Sequence, residues 1–111
     1  MKAIVIREYG GPEVLRWEEV PTPVPGRDEV LVRVHAVSVN RTLDLQVRQD
    51  GGNYGTTLPL VLDNDPSGVV AAVGEGVKEP QVNQRVAAFG SVHCGSCEPC
   101  QRGQYQRCRE G

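Results

Sequence analysis

The stretch Glu29-Val30-Leu31-Val32-Arg33-Val34-His35-Ala36-Val37-Ser38-Val39 decides the fold. Val30, Val32 and Val34 alternate with Leu31, Arg33 and His35, which is the period of two that a half-buried strand requires. At Ala36 the phase slips, because the apolar positions become Val37 and Val39. A bulge near Ala36, or a change of partner there, restores the register, so a bent strand is predicted.

Ala3 to Arg7 reads as a second strand, with Ile4 and Ile6 on one face and Val5 on the other, stopped by Gly10-Gly11-Pro12. Pro21, Pro23 and Pro25 remove every second backbone donor between Val20 and Gly26, so that segment is an extended connector. Gly68-Val69-Val70-Ala71-Ala72-Val73 is a continuous apolar strand, Gly74-Glu75-Gly76 a turn, and Arg85 to Phe89 a further strand. Arg41 to Gln49 is the one helical segment, with Leu43 and Val47 four apart and Gly51-Gly52 as the stop. Eighteen valines against one Phe, one Trp and one Met favour pleated strands. The expectation is a mainly β fold: a small barrel, closed so that no edge is exposed, with one short helix.

A chain of 111 residues with 39% apolar and 23% charged side chains suits one domain and leaves no room for a second large one. Its net charge of -2, from 12 basic and 14 acidic residues, gives no footprint for nucleic acid or an anionic membrane. No apolar run approaches the roughly 20 residues that span a bilayer, and Lys2 and Arg7 interrupt any leader-like core, so a cytoplasmic protein is expected. There is no internal repeat, low-complexity tract or linker.

Four cysteines, Cys94, Cys97, Cys100 and Cys108, all lie in the last 18 residues, spaced x2, x2 and x7. A disulfide scaffold would spread across the chain, so these read as one local site. Four thiolates about 2.3 Å from Zn²⁺ complete a tetrahedron and leave no place for water, which makes the predicted metal structural. Gly95 and Gly103 allow tight turns and Pro99 stiffens the approach to Cys100. The formal charge of -2 becomes -4 on binding, since four thiols lose protons to one divalent ion, and Arg102, Arg107 and Arg109 are placed to offset it. Iron–sulfur motifs also use x2 spacings, but they put the fourth cysteine after x3 with Pro behind it; here the gap is seven and Arg109 follows. Free or disulfide-bonded thiols are the remaining alternative. His93, beside Cys94, reads as a bystander once four sulfurs satisfy the metal.

Tyr9-Gly10-Gly11-Pro12-Glu13-Val14-Leu15, the proline-rich link, Glu29 to Val34, Leu58-Pro59-Leu60-Val61-Leu62, Ser67-Gly68-Val69-Val70, Val73-Gly74-Glu75-Gly76-Val77 and the cysteine lobe occur in an order that resembles the start of the medium-chain dehydrogenase/reductase family, its quinone-reductase-like branch above all. The resemblance covers nearly the whole chain. It implies a GroES-like β-barrel over residues 1–111, with a structural zinc lobe at about 91–111, on the substrate side of an NAD(P)H-dependent oxidoreductase. The nucleotide-binding Rossmann domain that it also implies is absent from this sequence. In such proteins strands further along the chain complete the barrel, so a product ending at Gly111 is expected to leave sheet edges unpaired and to self-associate.

Relatives that oxidise alcohols with catalytic zinc take a Cys from the strand-to-helix segment and a His from Gly-His-Glu; this sequence has Asn40 and Asn64 there. Amides are poor zinc ligands, so catalytic zinc is not expected. The resemblance then implies the zinc-free chemistry, hydride transfer from NADPH to a small carbonyl or quinone substrate, with the barrel walling the cleft and orienting the acceptor. Asn40, Arg41 and Thr42 are the candidates for that task, against the reading that Asn40 caps the helix and Arg41 is solvated.

Asp63-Asn64-Asp65 carries oxygens suited to a hard cation, but a loop satisfying its own backbone is the stronger reading. Asp63 and Pro66 stand where the family has Gly, and neither suits a positive φ. Gly74-x-Gly76 ends at Glu79-Pro80 and so is a turn rather than a cofactor site. His35 faces away from Val34 and takes no role. Two readings follow: an oxidoreductase's first domain, inactive alone, or a stand-alone zinc-stabilised interaction module without catalysis.

Overall fold

The computed structural model describes residues 1–90 and 92–110. Six strands and two short α-helices occur among them: β1 (Lys2–Ile6), β2 (Arg16–Glu19), β3 (Val30–Ala36), α1 (Leu43–Asp50), β4 (Leu60–Val61), β5 (Ser67–Val73), β6 (Arg85–Ala87) and α2 (Glu98–Gln101). Single 3-10 turns at Pro12–Val14 and Tyr105–Arg107 complete the order. The domain is mainly β, as the valine content and alternation predicted.

The strands form two antiparallel three-stranded sheets, ordered β2-β1-β4 and β3-β5-β6. The closed barrel expected from the sequence is not what these residues make: no ladder among the described residues joins the two sheets. Closure fails because β4 is two residues long and β3 pairs with β5 on one side alone. The predicted bulge in β3 is present, as a register shift between Val34 and Ala36, with a second between Leu31 and Val32. Beyond Ala36 the chain continues through Val37 to Asn40 without a ladder partner.

In β1 the predicted faces hold but their burial does not. Ala3 and Val5 are buried on one face and Ile6 is fully enclosed, whereas Ile4, on Ile6's face, is 40% exposed. That face is covered at Ile6 and partly open around Ile4. Ile6 and Val70 are the two large side chains enclosed almost completely among the described residues, one in each sheet.

Gly51 ends α1 with φ +83°, its N–H donating to the Val47 carbonyl at 2.9 Å, the left-handed stop that the Gly51-Gly52 pair predicted. Val20 to Gly26 runs without regular structure, in keeping with its three prolines. Pro66 lies at the edge of β5, where the Ala88 N–H donates to its carbonyl at 2.8 Å. Asp63 adopts φ +140°, a conformation side chains rarely take, at a position where the resembled family has Gly. The strain is retained while Asp63 Oδ1 accepts the Asp65 N–H at 3.1 Å and Ser38 Oγ–H donates to Asp65 at 2.7 Å. Thus the loop binds its own backbone and side chains, as expected. Replacing Asp63 by Gly should raise stability by about 0.5–1 kcal/mol, net of the lost hydrogen bond, and shift the thermal midpoint upward by a few degrees.

Candidate metal centre

Cys94 and Cys97 are joined by a turn in which Gly95 has φ +74°, Cys97 precedes α2, and Cys100 sits inside that helix. Pro99 occupies the first turn of α2, where its missing N–H costs nothing. Gly103, at φ +72°, reverses the chain so that the 3-10 turn Tyr105–Arg107 delivers Cys108 back to the others. Two glycines in the left-handed region thus bring together four cysteines spread over fifteen residues, Cys94 to Cys108, into one sulfur cluster.

The four Sγ atoms all lie within 4.8 Å of one another and none is in a disulfide. Sulfurs on a tetrahedron of about 2.3 Å bonds are roughly 3.8 Å apart, so the set fits a four-coordinate Zn²⁺ after a small contraction. Backbone groups already address the sulfurs: Cys97 N–H donates to Cys94 Sγ at 3.3 Å, Cys94 N–H to Cys108 Sγ at 3.3 Å and Glu110 N–H to Cys108 Sγ at 3.4 Å. Ser96 Oγ–H donates to Cys94 Sγ at 3.5 Å.

These donors favour thiolate, and burial opposes it. The Ser96 hydroxyl and the Cys97 and Ser96 backbone hold the Cys94 thiol down to about 6. The Arg109 and Cys100 backbones lower Cys97. Cys100, 4% exposed, is pushed up to about 12 by burial and by sharing its surroundings with three other thiols. A cation held by these sulfurs would offset the cost of both thiolates with one charge.

Of the arginines expected to offset the thiolates, Arg102 and Arg109 instead meet Glu98, at 2.9 and 3.6 Å. Glu98 was not singled out from the sequence; it braces the start of α2 against the end of the lobe. His93 stacks on Tyr105 with ring centroids 4.3 Å apart and is not in the sulfur cluster. The predicted lobe boundaries, Ser91 and Gly111, lie outside the described residues.

The second candidate constellation lies before α1. Thr42 and Leu43 N–H donate to Asn40 Oδ1 at 3.0 and 2.8 Å, and the Asn40 carbonyl accepts the first helical bond from Asp44 N–H at 3.1 Å. Asn40 therefore caps the turn into α1, the structural reading of the two weighed. Asp44 completes it reciprocally, its Oδ2 accepting the Asn40 N–H at 2.6 Å. Asp44 is buried, and sequence reasoning missed it; the signal was a carboxylate in the first turn after a capping Asn. The cap commits Asn40 Oδ1 and leaves its amide N–H₂ uninvolved, while Arg41 and Thr42 are exposed. Asn40→Ala should cost about 1 kcal/mol in urea unfolding. His35 is exposed on β3, and Asn64 Oδ1 is buried without a partner beside Gly90.

Two hydrogen-bonded β-sheets with a four-thiol lobe on one short helix define a small β domain whose clustered sulfurs could hold a metal ion. The particular family follows from comparison with known proteins. The chain belongs to the alcohol dehydrogenase GroES-like domain family, which matches residues 26–111. It is 36% identical to an alcohol dehydrogenase of Schizosaccharomyces pombe over 107 residues, 96% of this chain and 30% of that protein. It is 35% identical to a quinone oxidoreductase of Rattus norvegicus over 99 residues, 88% of this chain and 30% of that one. A cobalt- and zinc-bound thermostable alcohol dehydrogenase from Pyrobaculum aerophilum superposes with a TM-score of 0.87 at 33% identity, covering 98% of this chain and 32% of that structure. The chain spans about 30% of the length of the curated relatives it matches.

Proposed function

We propose that residues 1–111 form the substrate-side domain of an NAD(P)H-dependent oxidoreductase, and that Cys94, Cys97, Cys100 and Cys108 hold one structural Zn²⁺. The observation that carries the metal assignment is the convergence of four sulfurs within 4.8 Å, with no disulfide among them. All four coordination positions are then sulfur, so the ion braces the lobe and has no open site for substrate. Similarity to alcohol dehydrogenases and to quinone oxidoreductases supports a carbonyl or quinone as hydride acceptor.

The nicotinamide supplies the hydride when bound by the nucleotide-binding part of the longer protein. The task of this chain is to orient the acceptor and keep water out. Asn40 is the candidate donor to the developing oxyanion: its carbonyl oxygen is fixed by Thr42 and Leu43, so the amide N–H₂ is held in one orientation. Arg41 is a fixed cation next to it, and Thr42 a hydroxyl donor one residue on. With Asn40 and Asn64 at the family's zinc-ligand positions, a second, catalytic zinc has no suitable donors here.

Residues 1–111 fused in place of the first third of the S. pombe alcohol dehydrogenase should oxidise NADH or NADPH with a carbonyl or quinone acceptor, while the 111-residue chain alone turns over neither. A fusion that folds and binds nicotinamide yet reduces no acceptor contradicts the reading and favours a non-catalytic interaction module.

A further inference from the structure

The β3-β5-β6 sheet carries an open depression of about 510 Å³. Its lining is small or apolar at Gly68, Val69 and Ala87, basic at His35 and Arg85, and nowhere acidic. Sheet register adds a third basic group. Arg33 of β3 pairs with Val69 of β5, and Val69 pairs in turn with Arg85 of β6. Residues directly opposite share a face, so the two arginines flank Val69, their Cα atoms about 10 Å apart at two strand spacings. The register shift between Val34 and Ala36 makes His35 the extra residue of β3, and such bulges re-aim a side chain. His35, given no role from the sequence, is thereby set in the same depression as Arg85.

The positive charge gathered here has no internal answer. The chain has 14 acidic residues, yet no ion pair among the described residues uses Arg33, His35 or Arg85, and all three are exposed. A recess lined by one sign of charge over an apolar wall concentrates its field and attracts counter-ions. The geometry also selects among anions. One guanidinium alone satisfies both oxygens of a carboxylate, whereas two guanidinium groups from separate strands, with an imidazole N–H beside them, suit a group with more oxygens and more charge. Phosphate has three acceptor oxygens even when esterified and carries close to two charges at neutral pH. We propose that Arg33, His35 and Arg85 bind a phosphate group, as the free ion or as a monoester, in this depression. The proposal goes beyond the oxidoreductase reading and needs no metal, since neither the cysteines nor the turn before α1 lines the depression.

Titration of inorganic phosphate into the isotope-labelled chain, followed by NMR at constant ionic strength, tests it. Saturable shifts are expected at the side-chain N–H groups of Arg33 and Arg85 and at the amides of Val69 and Ala87. Arg33→Gln and Arg85→Gln should each weaken binding about tenfold, the double variant should abolish it, and His35→Ala should weaken it about threefold. Both arginines are exposed, so neither glutamine variant should melt earlier than the parent in chloride. Added phosphate should raise the melting midpoint of the parent and leave that of the double variant unchanged. Glycerol phosphate bound as tightly as the free ion supports the site with an ester as its ligand; the free ion bound and the ester excluded supports it with inorganic phosphate. Shifts that never saturate, or that acetate reproduces at equal ionic strength, overturn the proposal in favour of general screening. Saturable binding that survives in the double variant overturns it too, by placing the anion elsewhere on the chain.

Discussion

Stripping the metal with a strong chelator should unfold residues 92–110 and leave the two sheets intact. The lobe has little else to hold it: α2 is four residues long, the 3-10 turn is three, and Cys100 is its one buried side chain among the described residues. Structural zinc contributes apparent binding free energy on the order of 10 kcal/mol, far more than such short elements supply. Amide exchange should therefore become fast across the lobe while Ile6 and Val70 stay protected. Cys100→Ser should weaken zinc binding by more than about a hundredfold, because even changes outside the ligand shell cost 10–100-fold. If the chelated lobe keeps its exchange protection, the sulfurs are not its support.

The pH dependence has a definite sign. Zinc takes thiolates, so protons compete with it and apparent affinity falls as pH falls. Cys100, pushed up to about 12, must release its proton across the whole neutral range. Cys94, held at about 6, is already ionised at neutral pH and joins the competition only below that value. Plotted against pH, the logarithm of the zinc affinity should steepen by about one unit per pH unit as the pH drops through about 6.

The second large effect is expected at Gly74. A Cβ there would collide with the Gly26 carbonyl oxygen and lie 3.1 Å from that of Glu29, and both obstacles are backbone. The same approach carries two hydrogen bonds, Gly74 N–H to the Glu29 carbonyl and Asp28 N–H to the Glu75 carbonyl, each 2.8 Å. Gly74→Ala must separate the end of β5 from the loop before β3, at a cost of about 3 kcal/mol. A drop in thermal midpoint of more than about 10 °C is the expected readout. Were Gly74-x-Gly76 a nucleotide loop, the substitution would instead spare stability and weaken cofactor binding.

Residue patterns close together in sequence were legible, and pairings across long separations were not. β3 and its bulge followed from valine alternation, and the sulfur cluster from three x2 and x7 gaps with glycines at the turns. β2, reading Arg16-Trp17-Glu18-Glu19, has no apolar period, and it exists because β1 supplies its hydrogen bonds. The closed barrel was inferred from strand number, but alternation gives the face a side chain takes and not the strand beside it. Ile4 shows the consequence: its face was predicted correctly, yet it stays 40% exposed while Ile6 on the same face is enclosed. Asp44 was passed over because a carboxylate in a short helix looks solvated until its bond to the Asn40 N–H is seen. Glu98 was missed for the same reason, its two arginine partners lying four and eleven residues away.

Elemental analysis of the freshly purified chain, run alongside its native mass, tests the metal assignment most directly. One zinc per chain, lost on acidification together with order in the lobe, is the predicted result. A folded lobe with no stoichiometric zinc, or one holding iron with visible colour, would contradict it.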